Sequence, residues 1–265
     1  MKACYLAAIG LIIVIVGTII YLVMVSTKRV RVSTKIQYHH DKNTNFRLFS
    51  GCDNYRIGDV FSSDLIDKPF SAHGLKIWPT QRKIDFQGTL RQYTLQNFPN
   101  SIAADYIVRS KGQHDYQLLK ELCTERTNAT NTPPAQVLVM HLRVGDVIDY
   151  SKHTVDDFLQ RQTCDTFCYV RPLQSILDSA AQSKMKKIVL VAGAHVPDPL
   201  PKSQRYLESV MKTLENNGYE VTMRLAGHPD DDLVYMSNAT HFSPSKGGFS
   251  RIVTRLINMN GGAVY

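Results

Sequence analysis

Charge is missing from a long run that begins just after Lys2, and several other signals are scarce along the rest of the chain. From Ala3 to Val25 the sequence reads ACYLAAIGLIIVIVGTIIYLVMV, 23 residues without a charged side chain. There is no internal repeat and no low-complexity tract. With 43% hydrophobic and 20% charged residues the composition carries no bias, which excludes disordered and fibrous classes. No Lys/Arg stripe interleaved with aromatics occurs, which argues against nucleic acid as a partner. Cysteines are few, five in all. Cys164 and Cys168 stand as CxxxC with no second Cys/His pair nearby, which argues against zinc.

The uncharged run is what the chain has instead. At about 1.5 Å per residue a helix of this length spans a hydrocarbon core of about 30 Å. A cleaved signal peptide has a shorter apolar core and a small-residue cleavage site, so residues 1–25 are expected to be a retained transmembrane anchor, with membrane contact through residues 3–25. Lys28, Arg29, Arg31 and Lys35 follow it and supply half of the formal net charge of +8. Anionic headgroups account for such a cluster, and by the positive-inside rule it favours a cytoplasmic domain. Two sequons, Asn128-Ala129-Thr130 and Asn238-Ala239-Thr240, matter only in a secretory lumen. Cys52, Cys123, Cys164 and Cys168 leave two readings open, paired luminal disulfides or buried free thiols.

Residues 26–45 are polar and basic and read as a stem. Over residues 46–136 the periodicity is poor, with helices expected at Ile102–Arg109 and Tyr116–Cys123. The stretch TERTNATNTPPAQ, Thr124–Gln136, reads as a linker that closes an N-terminal domain. Beyond it, residues 137–265 alternate regularly. Strands are expected at Val137–Met140, Lys187–Ala192, Tyr219–Leu225 and His241–Ser243. Helices are expected at Pro172–Met185, Ser203–Asn217, Leu233–Ala239 and Gly248–Asn258, with Gly218 as a C-terminal stop. Alternation with short connections implies an α/β fold, a Rossmann-like parallel sheet covered by helices.

Three constellations can carry chemistry. His141-Leu142-Arg143-Val144-Gly145-Asp146 follows the first buried strand, where open α/β sheets bind ligands. Arg143 can offer a fork to a phosphate, Gly145 can let backbone approach, and Asp146 can orient the arginine or a sugar hydroxyl. A plain Gly-Asp turn accounts for the same residues. Ser243–Ser250, SPSKGGFS, enters the last helix, whose free N–H groups favour an anion. Ser245, Lys246 and Ser250 can add side-chain donors, or Ser250 can serve as a cap. This is not a Walker loop, because Lys246 precedes the glycines. Asp230-Asp231-Asp232 reads either as a metal-binding element or as acids complementing a helix dipole, and Pro229 favours the second. One of the three, Asp232, is expected to face the ligand. His195, after the second strand, and the segment Gly51–Asp59 can border the cleft.

Taken together, VLVMHLRVGD and DDLVYMSNATHFSPSKGGFS, about ninety residues on, resemble the fucosyltransferase superfamily of GT-B glycosyltransferases. The resemblance covers roughly residues 137–260 as scattered motifs. It implies a GT-B-like fold with a reduced N-terminal acceptor-side domain, and a GDP-sugar donor, GDP-fucose, held in the C-terminal domain. It also implies a glycan or glycoprotein acceptor and no cofactor or metal. Arg143 would contact the β-phosphate and stabilise the departing nucleotide. Gly247, Gly248, Phe249 and Ser250 would cradle the diphosphate through backbone N–H groups, and Asp146 and His141 are candidate bases by position. Two departures stand out. Many members carry two adjacent arginines where this chain has Arg143 and Val144, and the Gly-rich N-terminal motif of α1,2-type members is missing. A catalytically inactive, membrane-tethered carbohydrate-binding or scaffold protein is therefore the alternative. A domain of this kind behind an anchor and stem implies a type II layout with a luminal domain in the Golgi or endoplasmic reticulum.

Overall fold

The apolar run after the Thr/Asn/Pro stretch seeds the structure. Val137–His141 is strand β1, buried along its whole length. It lies between β2 (Lys187–Ala192) and β4 (His241–Ser243), with β3 (Glu220–Leu225) and β5 (Ala263–Val264) outside them. The order is β3-β2-β1-β4-β5 and every pairing is parallel. Leu138, for example, stands opposite both Ile188 and His241. This computed structural model describes residues 46–52, 54–62, 64–70, 86–160 and 169–265. They all belong to one compact unit, Asn45–Tyr265. The expected anchor, the stem, and Cys164 with Cys168 lie outside the described residues. Among the described residues no helix is long and apolar enough to cross a membrane.

Parallel strands need crossovers, and the chain supplies helices on both faces. Before the sheet come α1 (Ile57–Val60), α2 (Leu90–Asn97), α3 (Ile102–Arg109), α4 (Tyr116–Glu125) and a 3-10 turn, Ala129–Asn131. After β1 come α5 (Asp146–Asp149), α6 (Val155–Gln160) and α7 (Leu173–Ser183). Then α8 (Pro201–Asn216) joins β2 to β3, α9 (Pro229–Ser237) joins β3 to β4, and α10 (Gly248–Met259) joins β4 to β5.

Alternation along β1 sorts the two cores. Leu138 and Met140 belong to one core with Ile176 of α7 and Leu207 and Val210 of α8. Val137 and Val139 belong to the other, with Leu233 of α9, Val253 and Leu256 of α10, and also Ile107 of α3 and Leu119 of α4. Each fully buried leucine or isoleucine contributes about 1.5–3 kcal/mol through its burial. The N-terminal helices therefore share an apolar core with the sheet and with α9 and α10.

Local signals explain most boundaries. Ser101 and Asp115 cap α3 and α4 by accepting backbone N–H bonds. Pro201 opens α8 at a position where its missing N–H costs nothing. The expected helix Leu233–Ala239 starts four residues earlier. Pro229 sits in its first turn, His228 Nδ1 accepts the Asp230 N–H, and the three aspartates complement the dipole. The Thr124–Gln136 stretch, expected as a linker, begins inside α4 and then closes into a turn capped by Asn128. Cys52 and Cys123 are buried free thiols. Burial pushes Cys123 up to about 12.

Candidate functional site

A cavity of about 440 Å³ opens over the carboxyl ends of the strands. It stands where the strand order reverses between β1 and β4, the place at which open α/β sheets take ligands. Each strand end contributes: His141, Arg143 and Asp146 after β1, Gly193 and His195 after β2, Asp232 after β3, and Lys246 to Phe249 after β4. One wall comes from outside the sheet. Leu48 to Ser50 run alongside Ala194, whose N–H donates to the Leu48 carbonyl at 2.8 Å and whose carbonyl accepts from Ser50 N–H at 3.0 Å. That strap delivers Asn54 to Asp59 to the cavity. The Gly51–Asp59 segment thus supplies a major part of the site, including Arg56 and Asp59, which were not among the expected site residues.

Three cations and three acids face the cavity, and all three acids are paired. Arg143 donates to Asp146 Oδ1 at 3.0 Å, Arg56 to Asp59 at 3.3 Å, and Arg224, from outside the wall, to Asp232 at 2.7 Å. Lys246 is exposed at the rim. Arg56 Nε is buried and has no hydrogen-bond partner among the described residues. Such a donor carries a desolvation cost that an acceptor on a ligand would relieve. Burial raises Asp232 to about 6 in spite of Arg224.

The expected residues take different places. His141 is buried; its Nδ1 shares a 2.6 Å hydrogen bond with Ser250 Oγ, and its ring meets Phe249 edge-on at 5.5 Å. Burial first, then Arg143 and Arg171, hold it down to about 3, so it is a neutral imidazole. Ser250 is spent on this bond behind the wall. Ser245 accepts the Arg143 N–H at 3.2 Å and gives its hydroxyl proton to the Tyr169 carbonyl at 2.8 Å. It fixes the loop and has no proton left for a ligand. Gly145 allows close approach, but to protein: a side chain there would meet Ala194 Cβ at 2.9 Å, and φ is 84°. Asp146 faces His195, with Oδ2 at 3.6 Å from Nε2. Burial, then Arg143, lowers His195 to about 4.

Gly247 and Gly248 do reach the cavity. Gly247 has φ of 116°, in the region that favours glycine. A side chain on Gly58 would stand 3.3 Å from the Phe249 nitrogen, so paired glycines let α1 approach the start of α10. The first-turn N–H groups of α10 lack helical acceptors by construction, and they stand beside Lys246. The three aspartates diverge. Asp230 accepts from Tyr55 Oη at 2.6 Å and Ile102 N at 2.9 Å, Asp231 is exposed, and only Asp232 lines the cavity. Among the described residues no three His, Cys, Asp or Glu side chains are grouped to hold a metal ion.

No family model and no curated protein matches the chain. Several solved structures do. POFUT1 in complex with GDP is 12% identical, with 61% of this chain and 58% of that one covered and a TM-score of 0.36. POFUT1 in complex with GDP-fucose is 13% identical over 59% and 55%, with a TM-score of 0.35. The apo form is 11% identical over 71% and 72%, with a TM-score of 0.38. The chain matches 58% of the length of the first of these. The fold stands on its own geometry, an α/β domain with a five-stranded parallel sheet of doubly wound order.

Proposed function

We propose that this chain is a glycosyltransferase that moves a sugar, fucose from GDP-fucose, to a glycan or glycoprotein acceptor without a metal. One observation carries the reading: Arg143, Arg56 and Lys246 line the same cavity as the first residues of α10, at the switch point of a parallel sheet. Departure of a nucleoside diphosphate develops negative charge, and preorganised donors that meet it lower the barrier. Arg143 is held for this by Asp146 and by its own backbone bond to Ser245. Gly247 and Gly248 offer backbone N–H groups to the same anion. The identity of the sugar rests on the resemblance of the two sequence motifs, and residues 46–136 are assigned to the acceptor side. An anchored type II layout with a luminal domain belongs to the same proposal.

Titration calorimetry of the full chain with GDP tests it. Binding is expected, weakened at least tenfold by Arg143→Ala, since a charge-assisted hydrogen bond contributes about 1.5–3 kcal/mol. Absence of GDP binding by the wild type would sink the reading, and binding unchanged in the variant would remove the role of Arg143.

The alternative, a carbohydrate-binding protein without turnover, draws on Val144, which is buried in the apolar core where many relatives carry a second arginine. Arg56 answers it by bringing a guanidinium to the cavity from another segment. Release of sugar from GDP-fucose by the purified chain decides between the two.

A further inference from the structure

Diphosphate binding gives no task to the imidazole of His195, which also lines the cavity. His195 lies on the loop after β2, with its ring 28% exposed, and it borders the cavity. Asp146 joins it to the anion-binding side. One carboxylate oxygen accepts from Arg143, and the other faces His195 Nε2 at 3.6 Å. That separation exceeds a hydrogen bond, as is common for catalytic pairs before a ligand closes the site. An Nε2–H directed at Asp146 leaves the imidazole lone pair on Nδ1. Among the described residues that line the cavity, the other carboxylates and imidazole are occupied: Asp59, Asp146 and Asp232 by arginines, and His141 Nδ1 by Ser250.

We propose that His195 is the catalytic base, accepting the proton of the acceptor hydroxyl during sugar transfer; this rests on the glycosyltransferase reading. In that step the acceptor oxygen bonds to the sugar C1 and the C1–O bond to the β-phosphate breaks. The hydroxyl proton passes to His195, and the electron pair leaves with GDP, whose charge Arg143 meets. The groups facing His195 are Arg143 and Asp146 after β1 and Arg56 and Asp59 around α1, with Lys246 on the same cavity. Without ligand, burial and then the Arg143 charge disfavour the imidazolium. A bound diphosphate offsets both arginines and makes His195 a stronger base when the donor is in place.

The test is hydrolysis of GDP-fucose by the full chain, with water as acceptor, from about pH 4 to 8, in wild type and His195→Gln, with GDP calorimetry on both. In the variant the rate is expected to fall about a hundredfold. The acid limb of the wild-type pH profile should disappear, while GDP affinity stays within about twofold. Retained GDP binding also reports that the variant is folded. Hydrolysis with an unchanged rate and profile in the variant overturns the role of His195 and leaves the nucleotide-sugar reading intact. GDP binding by the wild type without hydrolysis overturns the transferase reading and this role together. No GDP binding removes the nucleotide itself.

Discussion

His141 is a buried imidazole kept neutral, and the sign of its linkage is definite. In the unfolded chain a histidine takes a proton below about pH 6.5, but burial first, with Arg143 and Arg171, holds His141 down to about 3. Its contribution to stability is thus fully present above about pH 6.5 and is lost as the pH falls towards 3. Replacing it by Gln should flatten the decline in the urea unfolding free energy between about pH 7 and 4, by on the order of a few kcal/mol over that range. An unchanged slope would show that His141 takes up a proton in the fold as readily as in the unfolded chain. Asp232, raised to about 6 by burial, runs the other way, since its stability is lost as pH rises, but it is common to both proteins and cancels. A second residue-scale prediction concerns Gly145. With φ at 84° and Ala194 Cβ 2.9 Å from where its own would lie, Gly145→Ala should cost about 1–3 kcal/mol in urea unfolding.

At the scale of elements, the N-terminus of α8 supports the floor of the site. Leu200, at the cap position, makes no side-chain bond there, and Asp149 at the end of α5 does the capping from a distance. It accepts from Lys202 N at 2.9 Å and Ser203 N at 3.2 Å, and it also takes the Ser203 hydroxyl. Ser203 Oγ in turn accepts the Gly145 N–H at 2.8 Å. Asp149→Ala should therefore cost about 1–2 kcal/mol, the usual value of a lost cap. It should also loosen the turn that holds Arg143. A thermal midpoint equal to wild type would refute the capping role. Helix positions were legible from apolar spacing in residues 137–265, because each amphipathic face repeats within the element itself. The short α1, α5 and α6 were not, since four to six residues give too little periodicity to read.

For the molecule as a whole, the two sequons are no longer equivalent. Asn128 is exposed, and its Oδ1, not its Nδ2, caps the 3-10 turn. Asn238 is half-buried, and its Nδ2 donates to Thr127 Oγ1 and the Val234 carbonyl, both at 2.9 Å. The proposed luminal layout predicts that the chain made in a eukaryotic secretory system carries an endoglycosidase-sensitive glycan at Asn128 and none at Asn238. The mobility shift should vanish in Asn128→Gln and persist in Asn238→Gln. Lack of any glycan would favour the cytoplasmic side indicated by the basic cluster.

What the sequence alone determined was local: the order of apolar runs, hence a parallel sheet, and the placing of HLRVGD and SKGGFS at strand ends. These follow from continuous apolar runs in the strands and a period of about 3.6 residues in the helices, which neighbours along the chain express without help. Tertiary structure decided which groups meet. Ser245 and Ser250 have the chemistry to hold an anion, yet packing turns them to Tyr169 and His141. Asp230 reads in the sequence chiefly as an acid complementing a helix dipole, yet it also pins Tyr55 and α3. Arg56 comes from a stretch of poor periodicity and reaches the cavity only because Leu48 to Ser50 pair with Ala194, about 145 residues away in the chain. Contacts of that separation depend on how two faces of a sheet are covered, and no local pattern of residues encodes them.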